Sequence, residues 1–164
     1  ARAWRLIKSD TSAVASYEDQ AIISRNDMRP WPEVTDIWAG GYIKSIKNHL
    51  HTSVDRRNGR AQLWLSNDLE MVEGVKTSPF VKLIGMVDTT NGMAIAQNSP
   101  FSHMFPNVDL QIHLYRLPVG QWLGLDTRQQ YGASGVGLTS TVLHDEEGPF
   151  GHSEQILTVR PMPT

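Results

Sequence analysis

Cysteine is absent from all 164 residues. That excludes disulfide frameworks, thiolate nucleophiles and zinc–cysteine sites, and it fits a reducing compartment. No apolar run reaches the roughly 18 residues that a membrane-spanning helix needs. The opening stretch ARAWRLIKSD has no apolar core of the kind a signal peptide carries. Charge of one sign is also scarce. Fifteen Lys and Arg face 17 Asp and Glu, for a formal net charge of -2, so no basic footprint for nucleic acid is present. What is there, 40% hydrophobic and 20% charged residues, is ordinary globular composition with length enough for one core. A cytoplasmic protein without a membrane span is expected.

ARAWRLIK (residues 1–8) alternates its side chains and reads as a short strand. No second strand follows for about forty residues, so its partners are expected outside the main domain. Residues 9–41 hold no sustained period, and MRPWPEVTDIWAGG reads as a linker wrapping a surface, with Trp31 and Trp38 as anchors. A domain boundary is placed there, and residues 42–164 are taken as the main domain.

Beyond residue 42, YIKSIKNHLHTSVD and RAQLWLSND bracket Asn58-Gly59, a hairpin marker. Next comes TSPFVKLIGMVDTTNG, with Ser78 as a helix cap, Pro79 at the first helical position and Asn91-Gly92 beyond the end. Phe80, Val81, Leu83, Ile84, Met86 and Val87 cover nearly the whole circumference, which predicts a buried helix. Gly85 would then admit a sheet close to its backbone. Four strand-like runs follow, VDLQIHLYRL, QWLGLDTRQQ, GVGLTSTVLHD and GHSEQILTVR. Their short separators predict antiparallel neighbours. Two strands, one buried helix and four strands are most simply accommodated by a sheet curled around the helix.

Asp88 sits where this helix is expected to end. A carboxylate at a helix C-terminus is disfavoured by some tenths of a kcal/mol, up to about 1. It is either a turn residue leaving into water, or a carboxylate whose pKa burial and the dipole raise together, fit to serve as a general base. Gln155 shares a strand face with Leu157 and Val159. There it is either a half-exposed residue or a buried amide able to offer a donor and an acceptor together. Asn107 opens the first strand after the helix and reads by itself as a turn residue. GASGVGL lacks the Gly-Lys-Ser/Thr ending of a phosphate loop and lies between strands, so it reads as a sheet bend. His49 and His51 have no third ligand at a diagnostic spacing and read as solvated strand histidines.

The segments SPFVKLIGMVDTTNG, FPNVDLQIHLYRLPVGQWLGLDTRQQYGASGVGLTSTVLHDEEG and GHSEQILTVRP together resemble the C-terminal half of thioesterase-like superfamily proteins of the acyl-CoA thioesterase II type, over residues 42–161. The resemblance implies an α+β hotdog fold, a six-stranded antiparallel sheet around one central helix, as one half of a double hotdog. Residues 1–8 would be the last strand of a preceding module and residues 9–41 the connection. It also implies a water-orienting set: the family's Asp falls on Asp88 and its Gln on Gln155. Its Thr or Ser falls on Asn107, where this sequence departs from the pattern. No metal or cofactor is implied. The partners implied are an acyl-CoA substrate and a companion hotdog module or second copy. The expected activity is thioester hydrolysis. The alternative is a module that binds acyl-CoA or completes a partner without catalysis, since folds of this kind host several functions. A hydratase is disfavoured because no Asp-x-x-x-x-His follows the helix.

Overall fold

The computed structural model of the chain describes residues 1–98 and 101–163. Ser99, Pro100 and Thr164, which the expected 42–164 domain includes, lie outside the described residues. In chain order the elements are β1 (Arg29–Pro30), α1 (Val34–Ile37), α2 (Gly41–Ser45), β2 (Ile46–Leu50), β3 (Arg60–Asn67), α3 (Pro79–Met86), a 3-10 turn (Val87–Thr89), α4 (Thr90–Met93), β4 (His103–Met104), β5 (Gln111–Leu114), β6 (Leu123–Tyr131), β7 (Val136–Asp145), β8 (Gly148–Thr158) and β9 (Arg160–Pro161).

The six expected strands are present in one sheet, ordered β2-β3-β6-β7-β8-β5, with every pairing antiparallel. The linker adds β1, making seven, and β4 pairs with β9 in a separate ribbon. β3 places Leu63 and Leu65 on the inner face. β6 adds Leu123 and Leu125 there, β7 adds Leu143, and β8 adds Phe150 and Leu157, all fully buried. Leu83, Met86 and Val87 press down on this face from the helix side. Each such side chain contributes about 1.5–3 kcal/mol on burial.

Three expectations need correction here. First, the chain does not step directly from β5 to its sheet neighbour: β5 pairs with β8, at the far edge from β6. The crossover is pinned by Arg116, two residues past β5. Its guanidinium donates to both carboxylate oxygens of Asp145 at 2.6 and 2.7 Å and to the carbonyls of Gly148 and Pro149 at 2.8 and 3.0 Å. That pairing spans 29 residues of sequence and outweighs the short spacer.

Second, the helix is buried on one side only. Ser78 caps it, accepting from the Val81 N–H at 3.3 Å with Pro79 following. Phe80 and Val81, however, are 41% and 44% exposed. Gly85 faces outward, touched by Met71 and by the Tyr42 hydroxyl, which donates to its carbonyl at 3.1 Å. No strand approaches it among the described residues.

Third, the helix does not end at Asp88. Thr89 turns its hydroxyl back onto the Met86 carbonyl at 2.6 Å, which tightens one turn into 3-10 geometry, and helix resumes over Thr90–Met93. Asn91 and Gly92 therefore lie within α4.

Residues 1–8 pair with no strand of this chain, and Trp4, Leu6 and Ile7 are at least 79% exposed. The linker does wrap a surface, and that surface belongs to the main domain. Trp31 is buried in the core at 3% exposure. Ile22 and Met28 cover Trp64 on the outer sheet face, where the Trp64 indole donates to the Ile23 carbonyl at 2.9 Å. Trp38 donates to the Gly92 carbonyl at 2.9 Å. A β-carbon at Gly92 would lie 2.9 Å from that indole nitrogen, so glycine lets the ring seat there.

The glycine-rich stretch is the β6–β7 bend. Gly135 has φ +84°, and a β-carbon at Gly137 would lie 2.8 Å from the Gln130 carbonyl. His49 packs edge-on against Trp122 and His51 contacts Gln62, and among the described residues no group of acidic or histidine side chains could hold a metal ion.

Candidate active site

Three elements deliver the three candidate side chains to one point. The 3-10 turn carries Asp88 outward and exposed. Strand β8 alternates, with Gly151, Ser153, Gln155 and Leu157 inward, so Gln155 is fully buried beneath the turn. Asn107 lies in a loop stitched to the side of β8 rather than opening a strand. It forms a bridge with Leu157, flanked by Val108 N–H to Ile156 O and Thr158 N–H to Pro106 O, each 2.9 Å. Asp109 completes the stitching by accepting from the Ile156 N–H at 2.8 Å.

Asp88 Oδ1 accepts from Gln155 Nε2 at 2.7 Å and from Asn107 Nδ2 at 3.3 Å. An ionised carboxylate only accepts, so both amides must present their NH2 groups to it. Asp88 Oδ2 has no hydrogen-bond partner among the described residues. One oxygen is thus gripped from behind and the other faces outward. The helix-end dipole and the burial invoked from the sequence do not apply to Asp88, which is mid-helical and exposed. The charge is felt nearby: Tyr42 is pushed up first by its own burial and then by Asp88.

Four further side chains complete this polar cluster and were not singled out from the sequence. Thr90 Oγ1, fully buried, donates to Gln155 Oε1 at 2.7 Å. Asn91 Nδ2 reaches the Phe105 carbonyl at 3.1 Å and Asn107 Oδ1 at 3.5 Å. Buried Gln129 donates to the Asn91 carbonyl at 2.9 Å and accepts from the Tyr131 hydroxyl at 2.6 Å. Burial pushes that hydroxyl up to about 12, so it remains a donor at neutral pH. Gln129 carried the same signal that marked Gln155, an amide on the inward parity of Leu123, Leu125 and Thr127. Thr90 had no such signal, because the helix was expected to end before it.

Two hollows lie elsewhere. One of about 390 Å³ is lined by Ile22, Arg25, Trp64, Trp122 and His144. The other, about 450 Å³, is lined by Trp31, Val34, Ile43, Ile46 and Asn48. Neither includes Asp88, which stands on open surface beside the exposed face of α3.

A curled antiparallel sheet around one helix is the architecture of hotdog thioesterases. Residues 21–159 match the acyl-CoA thioesterase C-terminal domain, and the chain belongs to that family. No curated protein matches it. Among solved structures it is similar to the acyl-CoA thioesterase II TesB2 of Mycobacterium marinum, at 14% identity and TM-score 0.61, covering 90% of this chain and 58% of that one. The tesB protein of Mycobacterium avium subspecies paratuberculosis is similar at 15% identity and TM-score 0.61, covering 90% and 57%. A thioesterase of Haemophilus influenzae aligns at 8% identity and TM-score 0.59, covering 80% and 90%. These likenesses show a shared fold. The chain spans little more than half the length of the TesB-type chains it resembles. No helix in the described residues is long and apolar enough to cross a membrane.

Proposed function

We propose that this chain is the C-terminal module of an acyl-CoA thioesterase, with Asp88 as the general base. The observation that carries the reading is the asymmetry of the carboxylate, with Oδ1 held by Gln155 and Asn107 and Oδ2 without a partner among the described residues. A water on Oδ2 gives up a proton to it while its oxygen attacks the thioester carbon. The carbonyl π pair moves onto oxygen, where N–H donors stabilise the developing charge. Collapse of the tetrahedral intermediate breaks the C–S bond, and Asp88 returns the proton to the departing thiolate. The products are a carboxylic acid and free coenzyme A thiol. Thiolate is a good leaving group, so no covalent nucleophile is needed, which suits a cysteine-free chain. Gln155, at 0% exposure, holds the base from behind. Asn107 stands where the family has a hydroxyl residue, and here its amide steadies the same oxygen. A reducing cytoplasm suits both the composition and a thiol product.

The site also calls for a cover. Exposed Phe80 and Val81 on α3 adjoin Gly85, which is flanked by half-exposed Tyr42 and by exposed Met71. At one end of the sheet, β5 has an edge that no strand of the described residues pairs with. In this reading a companion hotdog module or a second copy covers them and excludes water from the thioester. The test is release of free thiol from short- to long-chain acyl-CoA, measured on the chain alone and joined to its companion module. Turnover in either form supports the reading. Acyl-CoA binding with no thiol release in both forms would replace it with a non-catalytic binding module.

A further inference from the structure

We infer that Thr90 is a positioning residue that sets the direction of the Gln155 amide and, through it, the working geometry of Asp88. The inference rests on the reading of Asp88 as the base. Gln155 is wholly buried between two partners, with Nε2 on Asp88 Oδ1 and Oε1 on Thr90 Oγ1, each at 2.7 Å. An amide turned by 180° would aim Oε1 at the carboxylate and its NH2 at Thr90. A hydroxyl alone does not forbid that, because it can accept as well as donate. The carboxylate fixes one end of the amide, and Thr90 contributes by supplying the buried Oε1 with its donor, since it is the only side chain bonded to that atom among the described residues. Without the hydroxyl, Oε1 is an unpaired buried acceptor, and the arrangement with Nε2 on Asp88 loses its advantage over rotated ones.

The backbone puts Thr90 there for a reason visible in the fold. Thr89 and Thr90 are consecutive, and their hydroxyls do different work. Thr89 closes the 3-10 turn on the Met86 carbonyl, while Thr90 turns inward and reaches Gln155 on β8. Residues two apart on a helix lie about 200° around its axis, so exposed Asp88 and buried Thr90 point to opposite sides.

The experiment compares the parent with Thr90→Ser, Thr90→Val and Thr90→Ala. Folding is checked by near-ultraviolet circular dichroism. The readouts are kcat, KM and the NMR signals of the Gln155 side-chain NH2. Thr90→Ser should keep all three. Thr90→Val should lower kcat by about ten- to a hundredfold with KM nearly unchanged, the range of a lost hydrogen bond serving a charged group. Its Gln155 NH2 signals should shift or broaden. Thr90→Ala gives the same readouts if the valine strains the site. Folded Val and Ala variants with parental kcat and unmoved Gln155 signals would overturn the inference. An inactive parent would sink the reading of Asp88 instead, and the Gln155 signals in the Val and Ala variants would still decide what Thr90 does.

Discussion

Replacing Asp145 by Asn should cost the protein about 3–5 kcal/mol, the range for breaking a buried ion pair by removing one partner. Asp145 is 1% exposed and accepts four hydrogen bonds, two from Arg116, one from Val119 N–H at 2.8 Å and one from Glu147 N–H at 2.9 Å. Asparagine keeps one acceptor oxygen and turns an NH2 toward donors, while the Arg116 charge stays half-buried. For a chain of this length that loss lowers the midpoint by about 10–15 °C. It should be read from urea and thermal unfolding. The variant also removes a pH effect whose sign is fixed. Burial alone would raise the Asp145 carboxyl, but Arg116 and the two N–H groups outweigh it and hold it below the usual carboxylate range. Its stabilisation is therefore complete above the unfolded value of about 3.9 and fades as pH falls through the lower folded one. Parent stability should drop across that acid window and the Asn variant's should drop less. Loss of activity should accompany loss of stability, because Arg116 ties down the crossover behind β5 and hence the Asn107 loop. A variant within about 1 kcal/mol of the parent would refute this account of the crossover.

Gly92→Ala should destabilise by about 1–3 kcal/mol and change the Trp38 fluorescence, since the new methyl meets a hydrogen-bonded indole 2.9 Å away; an unchanged emission spectrum would contradict it. Asn107→Thr should keep or raise turnover while Asn107→Ala lowers it, and equal loss in both would remove Asn107 from the proposed site. Light scattering at micromolar concentration should show the chain paired with a companion or a copy, and a well-folded species of 18.4 kDa would refute that.

Much of this architecture was legible residue by residue. Strand parity put Gln155 on the face of Leu157, either half-exposed or buried there, and the fold buries it. Ser78-Pro79 announced the start of α3, and Asn58-Gly59 fell where a left-handed glycine ends the turn into β3. The helix end was misread because a Thr89 hydroxyl bonding three residues back competes with the regular helix, and composition does not reveal which option wins. The order of β5 was misread because an ion pair between Arg116 and Asp145 is a long-range fact. The apolar circumference of α3 was real, but one side of it faces outward in this chain. The Asp88 site was found through a helix-end argument that the geometry does not support. It survives as a candidate because Gln155 and Asn107, from distant segments, both bond to it.

The central claim is that Asp88 is the base, and Asp88→Asn tests it most directly. The substitution keeps size and shape, and the side chain is exposed, so stability should change by no more than about 0.5 kcal/mol. The measurement is kcat for acyl-CoA hydrolysis by Asp88→Asn against the parent, with both shown folded. A loss of at least about a hundredfold, the weight of a general base, is the predicted result. A variant that hydrolyses acyl-CoA within twofold of the parent would contradict the account.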